Sequence, residues 1–365
     1  MNPQKKKNRI LAIDFVRGFS VLAIIPVHCM LIYGSSEAWG SFIGQIIRVM
    51  EKGTPIFLVV MGISFAFSSR NSFSTAIKRG LSILALAYSL NIIRFVIPLS
   101  IGIIPDSFVL RNRLTLGDPY NYVYFFLLGD ILQLAGLSLL LMAVINKISK
   151  NKYVILFFVL LIVSVSKELS GYRVGHPVLD YLCDLFWGNK FNIYFPVFPW
   201  VSFILIGLFF GKWYKELNQD AVKMYTWMWR IGLLFVAAGI GLCSYNYEYH
   251  FGDYYHLGPG GFVLLIGINL LVVWTGHIIV KFCKHNKFFE LLYFASRNVT
   301  VFYIIQWILI YWGIALFGVS IKNEYTILMI IVLVTLTTFS ILYLKKIGMK
   351  YLKNQKKHRM QNSLS

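Results

Sequence analysis

The sequence predicts an all-α protein, a polytopic bundle of about ten transmembrane helices with both termini in the cytoplasm. Three observations predict it. Of the 365 residues, 58% are hydrophobic and the mean hydropathy is +0.66, whereas soluble domains rarely exceed about 50% apolar. Apolar runs on the scale of a bilayer crossing recur along the whole chain. The net charge of +20 is spread over short loops between those runs and forms no polar basic domain, so nucleic acid is excluded as a partner.

The first run, near 10–33, lies in the stretch RILAIDFVRGFSVLAIIPVHCMLIYG, from Arg9 to Gly34. Arg17 and His28 are eleven residues apart, close to three helical turns, so both lie on one face roughly 16 Å apart along the axis. Asp14 falls one turn before Arg17 on the same side. Each ionisable group at membrane depth costs at least ~2.5 kcal/mol, so this stripe faces a polar cavity and not lipid. Pro26 removes a backbone hydrogen bond and is expected to kink the helix beside His28. The run is too long for a signal peptide, is interrupted by charge, and lacks a small-residue cleavage site.

The second run, near 54–69, opens on Thr54-Pro55, a capping hydroxyl followed by proline at the first helical position. The third, near 80–103, holds Asn91 and Arg94 one turn apart. The fourth, near 121–146, carries Asp130 and Gln133 in GDILQLAG. Pairing of Arg94 with Asp130, and of Arg17 with Asp14, neutralises buried charges. The fifth lies near 152–167. The sixth, near 192–211, begins at FPVFPW, Phe195 to Trp200, an irregular aromatic entry at the outer interface. The seventh lies near 229–246. Between it and the eighth, near 261–280 with Asn269 and His277, comes the loop YNYEYHFGDYYHLGPGG, Tyr245 to Gly261. Its tyrosines, with His250, Asp253 and His256, form either an interfacial aromatic belt or a sugar-stacking surface. The ninth, near 292–318, contains Arg297, Asn298 and Gln306 in SRNVTVFYIIQW, and the tenth lies near 325–345.

The positive-inside rule supports this alternation. With the N-terminus inside, 24 of the 35 basic residues fall on the cytoplasmic side. They include Lys5, Lys6, Lys7, Arg9, Arg70, Lys78, Arg79 and the tail residues Lys345, Lys346, Lys350, Lys353, Lys356, Lys357 and Arg359. Eight fall outside: Arg48, Lys52, Arg111, Arg113, Lys167, Arg173, Lys190 and Lys322. The basic inner face suits anionic headgroups of the lipid bilayer and steers anionic soluble ligands. Residues 1–365 form a single integral membrane domain with short basic tails at 1–9 and 346–365. Cys29, Cys183, Cys243 and Cys283 are scattered, with no metal spacing and no disulfide framework, so no metal is expected.

IDFVRGFSVLAIIPVH resembles the first helix of the integral membrane acyltransferases, a superfamily that includes the acyltransferase-3 enzymes and the heparan-α-glucosaminide N-acetyltransferase-like proteins. The acyltransferase-3 enzymes share an Arg, ten residues and then His, here Arg17 to His28. FLVVMGISFAF (Phe57 to Phe67), GDILQLAGL (Gly129 to Leu137), FPVFPWVSFILIGLFFGKW (Phe195 to Trp213) and SRNVTVFYIIQW (Ser296 to Trp307) extend the resemblance in consistent order. The resemblance implies a bundle that moves an acyl group, usually acetyl, from cytoplasmic acyl-CoA to a hydroxyl or amine, usually on a carbohydrate or glycolipid beyond the membrane. It implies that His28 is catalytic and that Arg17 helps to hold the donor. The chain departs from acyltransferase-3 enzymes in two places: it has Lys78-Arg79 where they carry Arg-x-x-Arg, and Gln306 where they carry a late histidine.

The expected function is therefore a multi-pass membrane acyltransferase, in the plasma membrane of a prokaryote. Acyl-CoA (acetyl-CoA) binds at Arg17, Lys78 and Arg79. His28 acts as general base near its free pKa of about 6.5, or as a transient acyl carrier. Asp14, Arg94, Asp130 and Gln133 bind substrate or hold the bundle. The alternative is a transporter or flippase using the same intramembrane Arg, His and Asp as a proton or substrate path; the absence of a detectable inverted repeat counts against it. A sensory or scaffold role fits less well, because no soluble domain is present.

Overall fold

The computed structural model describes residues 10–69, 71–190 and 192–362. Lys5, Lys6, Lys7, Arg9 and Arg70 of the inner basic set lie outside the described residues, as do the side chains of Lys350, Lys353, Lys356, Lys357 and Arg359.

Thirteen helices of ten residues or more carry the architecture among the described residues. Helix α1 (Leu11–Tyr33) runs unbroken through Pro26. Helix α2 (Phe42–Glu51) is amphipathic and starts on a Ser41 cap whose hydroxyl accepts from the Gly44 amide at 3.1 Å. Helix α3 (Thr54–Phe67) has Pro55 in its first turn. Helix α4 spans Phe73–Ser100, with a π-helical segment at Ile92–Val96. Then come α5 (Ile131–Ile148), α6 (Lys152–Leu169) and α7 (Pro177–Trp187). Helix α8 (Val197–Glu216) is bent at Phe198, inside the FPVFPW entry. They are followed by α9 (Ala221–Tyr245), α10 (Pro259–Phe282), α11 (Lys287–Arg297), α12 (Val299–Trp312) and the long α13 (Glu324–Asn362). No strand forms among the described residues; the β-type pairings there are isolated bridges such as Gly34 with Lys322 and Gly129 with Ile193.

Among the described residues, eight helices are long and apolar enough to cross a membrane: α1, α4, α5, α8, α9, α10, α13, and α12 with its extension to Phe317. The protein is thus an all-α polytopic bundle. Two of the ten expected runs fall short for identifiable reasons. Helix α3 has 14 residues, about 21 Å of helix against a hydrocarbon core of about 30 Å. Helix α6 carries Lys152, Lys167 and Glu168 at its ends. The middle of α6 nonetheless presents Phe157 and Leu160, the latter 68% exposed, as a lipid-facing surface does. Helix α13 does the same with Leu328, Val332 and Leu336, four residues apart on one face.

Helix α1 is the central post, in contact with α2, α3, α10, α11, α12 and α13. Around it α3 packs on α8, α4 on α5, and α9 on α10. The α3–α8 seam is the tightest. A β-carbon on Gly62 would come 1.9 Å from the Ile204 carbonyl oxygen, and one on Gly207 would come 2.0 Å from that of Val59. Only glycine lets the two backbones meet this closely, the small-residue device of membrane helix pairs. At one end of the bundle five loops are tied together. Gly34 bridges Lys322, Arg111 Nη1 donates to Ser320 Oγ at 2.7 Å, Gly129 pairs with Ile193, and Tyr254 Oη donates to the Glu51 carbonyl at 3.1 Å. The other end is held by Lys152 with Glu216 and by Lys215 Nζ on the Ala66 carbonyl at 2.5 Å.

A candidate two-cavity active site

One stripe of α1 faces two cavities in succession. Arg17, Val21 and Ile24 line the first, of about 560 Å³. Val27, His28 and Leu31 line the second, of about 690 Å³. Arg17, Val21, Ile24, His28 and Leu31 advance by three or four residues, as one face of an α-helix requires, and Val27 flanks that stripe. The first cavity lies toward the end of α1 nearer Arg17, and the second toward the five tied loops.

Arg17 is fixed at the first cavity. Its Nε donates to Ser296 Oγ at 2.8 Å and its Nη1 to Ser64 Oγ at 3.0 Å. Its Nη2 pairs with Asp14, whose carboxylate also accepts from Ser296 Oγ at 2.9 Å. The expected Arg17–Asp14 pair is present, and it holds the guanidinium in place while Arg17 stays partly exposed to the cavity. Arg79 and Arg297 line the same cavity. Lys78 is exposed and does not line it; one residue of helical rotation, about 100°, separates it from Arg79. Three arginines thus meet in a partly enclosed space, a setting for phosphate groups.

The second cavity is organised by the polar residues of α4 and α5. Arg94 Nη1 donates to Asp130 Oδ2 at 2.9 Å, with both side chains buried. Arg94 sits within the π-helical segment, whose altered winding sets its direction; such bulges occur often at functional sites. Asn91 Oδ1 accepts from Arg94 Nη2 at 2.9 Å, and its amide donates to the Phe126 and Leu128 carbonyls, each at 2.8 Å. Asp130 caps α5, and Gln133 completes the capping box through Oε1 on the Asp130 amide at 3.0 Å. Gln133 Nε2 donates to the Leu128 carbonyl at 3.1 Å, so both ends of its side-chain amide are taken up by backbone groups. Tyr303 Oη donates to Asp130 Oδ2 at 2.7 Å.

His28 closes this assembly. Its ring stacks on Trp307 at 3.7 Å between centroids and meets the edge of Tyr303 at 6.0 Å. The Arg94 guanidinium lies 5.1 Å from the Trp307 ring on the same cavity wall. His28 Nδ1 and Gln306 Oε1 are both buried without a hydrogen-bond partner. Tyr303 and Gln306 line the first cavity while His28 and Trp307 line the second. The wall between the cavities therefore carries an imidazole and unsatisfied polar atoms, which are costly to bury unless a ligand uses them.

Tyr254 and Tyr255 also line the second cavity. Tyr254 is buried, and Tyr255 Oη donates to Glu51 Oε1 at 3.1 Å. Tyr245 and Tyr247 remain on the exposed surface. His250 accepts from the Gly260 amide at 3.0 Å and so caps α10, while His277 stacks on Tyr225 at 4.0 Å. Sequence reasoning missed the cavity-lining role of Trp39, Arg48, Lys52, Arg111 and Arg113. Burial lowers the Lys52 ammonium below the usual lysine range, partly offset by Glu51 beside it. Among the described residues no three His, Cys, Asp or Glu side chains gather as a metal site.

A family model described as heparan-alpha-glucosaminide N-acetyltransferase, catalytic, matches residues 9–244, nearly two thirds of the chain. The matched region holds Arg17, His28, Arg94 and Asp130, and it ends before α11 and α12. No curated protein matches the chain.

Proposed function

The chain belongs to the heparan-alpha-glucosaminide N-acetyltransferase catalytic family, and on that premise we propose that it transfers an acetyl group from cytoplasmic acetyl-CoA to a hydroxyl or amine on an extracytoplasmic carbohydrate. The family membership makes it a membrane acyltransferase of the acetyltransferase type; donor, acceptor and sidedness are the proposal. The observation that carries it is the placement of Arg17 and His28 on one stripe of α1, each in a different cavity.

The donor enters the first cavity, its phosphates near Arg17, Arg79 and Arg297. The roughly 16 Å between Arg17 and His28 suits the extended pantetheine arm, which brings the thioester to the wall between the cavities. The acceptor occupies the second cavity. As its oxygen or nitrogen attacks the thioester carbon, His28 takes the acceptor proton, the carbon–sulfur bond breaks, and the CoA thiolate leaves and is protonated. An acetyl-histidine intermediate would divide the same transfer into two steps. Asp130 with Arg94 and Tyr303 holds the floor of the acceptor cavity and the aromatic bed of the imidazole.

In this reading residues 1–365 act as one integral membrane unit in a prokaryotic plasma membrane. The bundle has ten passes, both termini are cytoplasmic, and the five tied loops lie outside. The experiment is acetyl-CoA binding to the purified protein in nanodiscs, wild type beside Arg17→Ala. Saturable binding weakened by about tenfold, near 1.4 kcal/mol, supports the donor site. A folded wild type that binds no acetyl-CoA, and moves a solute without releasing CoA, returns the chain to the transporter reading.

A further inference from the structure

Helix α2 (Phe42–Glu51) has different neighbours on its different faces. Gly44 and Ile47 are buried, and Ile47 packs with Met30 of α1 and Ile327 of α13. Arg48 and Glu51 line the second cavity. The remaining face presents Phe42, Ile46 and Val49, which are 80%, 46% and 74% exposed. Steps of four and three residues put these side chains on one stripe, roughly 130° around the helix from Arg48.

Depth and continuity identify what covers that stripe. Met30 lies one turn before the end of α1 and Ile327 one turn after the start of α13. Helix α2 therefore sits level with the terminal turns of two helices long enough to span the membrane, where the headgroup region gives way to acyl chains. Ile43 and Met50 flank the stripe and pack against the same cluster as Ile331 of α13, so no polar break separates the stripe from α13. Next to Ile327, Leu328 begins the exposed apolar face of α13 that continues through Val332 and Leu336. Tyr325 stands exposed one turn before Leu328, as aromatic rings do at a membrane surface. The α2 stripe adjoins a surface that already faces lipid. Gln45 and the exposed Arg48 give the helix the polar edge that interfacial helices carry.

We infer that α2 is seated in the bilayer leaflet at the end of the five tied loops, with acyl chains covering Phe42, Ile46 and Val49, and that it is the partition between that leaflet and the second cavity. The seating depends neither on the acyl donor nor on which way the bundle faces. Lipid on one side of α2 steadies Arg48 and Glu51 on the other. Glu51 in turn accepts from Tyr255 Oη through its carboxylate and from Tyr254 Oη through its carbonyl, each at 3.1 Å, so the hold extends to two more side chains of the cavity lining.

The test uses the full-length protein in nanodiscs, with Cys183→Ser and Cys283→Ser removing the cysteines that are not buried. A bimane fluorophore is attached through Phe42→Cys or Val49→Cys on the stripe, or through Gln45→Cys on the polar edge. All three positions are exposed, so a label displaces no packed side chain. Two quenchers are compared: phosphatidylcholine with a nitroxide high on its acyl chain, and iodide in the water. Lipid quenching on the stripe should exceed that at the polar edge at least about twofold, with iodide in the reverse order. Equal iodide quenching at all three positions would put the stripe in water. Protection of the stripe from both quenchers would mean that protein, such as a second copy of the chain, covers it. Either result overturns the inference. The partition is read separately by backbone amide hydrogen exchange. The Phe42→Ser, Val49→Ser double variant should exchange faster across 42–51 than the wild type in the same nanodiscs. Unchanged exchange across that segment would show that lipid does not hold the helix in place.

Discussion

The imidazole of His28 stacks on the indole of Trp307, with ring centroids 3.7 Å apart and planes 23° from parallel. The contact joins α1 to α12 at the wall between the two cavities and fixes the plane of the ring that would move the proton. Removing the imidazole should lower kcat by about 10²–10⁴-fold. We expect His28→Ala to show that loss while acetyl-CoA binding and helical content are retained. Trp307→Phe, which keeps an aromatic plane, should lose far less. Full turnover by folded His28→Ala would remove His28 from the chemistry.

Gln306 lies one turn from Tyr303 and beside Trp307 on the helix that faces His28. Its Oε1 and His28 Nδ1 are both buried and unpaired. Replacing the amide by a carboxylate tests whether this side chain faces the imidazole. A carboxylate beside a histidine favours the imidazolium and raises its pKa. The base form is then lost at a higher pH, so the acidic limb of the kcat profile should move to higher pH in Gln306→Glu. Gln306→Leu should lower kcat without that shift. An unmoved profile in an active Gln306→Glu enzyme would show that the two side chains do not interact.

Much of this site is legible in the sequence because membrane depth makes charge conspicuous. Arg17, Asp14, Arg94 and Asp130 stand out within apolar runs, and helical periodicity alone puts Arg17 and His28 on one stripe. The partners they require follow from the cost of burying a charge, and both expected ion pairs are present. What the sequence hides is tertiary. Ser64 and Ser296 approach Arg17 from other helices, and nothing local marks either serine. Lys78 and Arg79 are equivalent in a string of letters, and only the helix rotation separates the cavity-lining residue from the exposed one. Arg48, Arg111 and Arg113 read as ordinary solvated charge until the segments that carry them fold over the second cavity. The π-helical winding that aims Arg94 leaves no periodic signature, since α4 remains apolar through it.

Asp130 joins four elements of the site: it caps α5, pairs with Arg94, accepts from Tyr303 and helps to line the second cavity. Asp130→Asn keeps a capping side chain but leaves Arg94 buried and unpaired. Removing one partner of a buried ion pair typically costs about 3–5 kcal/mol. Thermal unfolding in detergent should show a marked drop for Asp130→Asn. The double variant Arg94→Met, Asp130→Asn should regain part of it, because no uncompensated cation remains. If the single and double variants melt alike, the Arg94–Asp130 pair is not what holds this wall.

The direction of transfer depends on which cavity opens to the cytoplasm, and Cys283 reports on it. Cys283, just after α10, is exposed, whereas Cys29 and Cys243 are buried. Cys183 is half-buried on α7, within the region expected to lie outside. In a Cys183→Ser background a membrane-impermeant maleimide therefore has one accessible target among the described cysteines. With both termini inside, Cys283 should react in inverted membrane vesicles and be protected in intact cells. The Arg17 cavity would then face the compartment that contains acetyl-CoA, and the His28 cavity the compartment that contains the acceptor. Labelling of Cys283 in intact cells would reverse the orientation, place the three arginines of the first cavity outside, and leave a cytoplasmic acetyl-CoA without the phosphate-binding entry assigned to it.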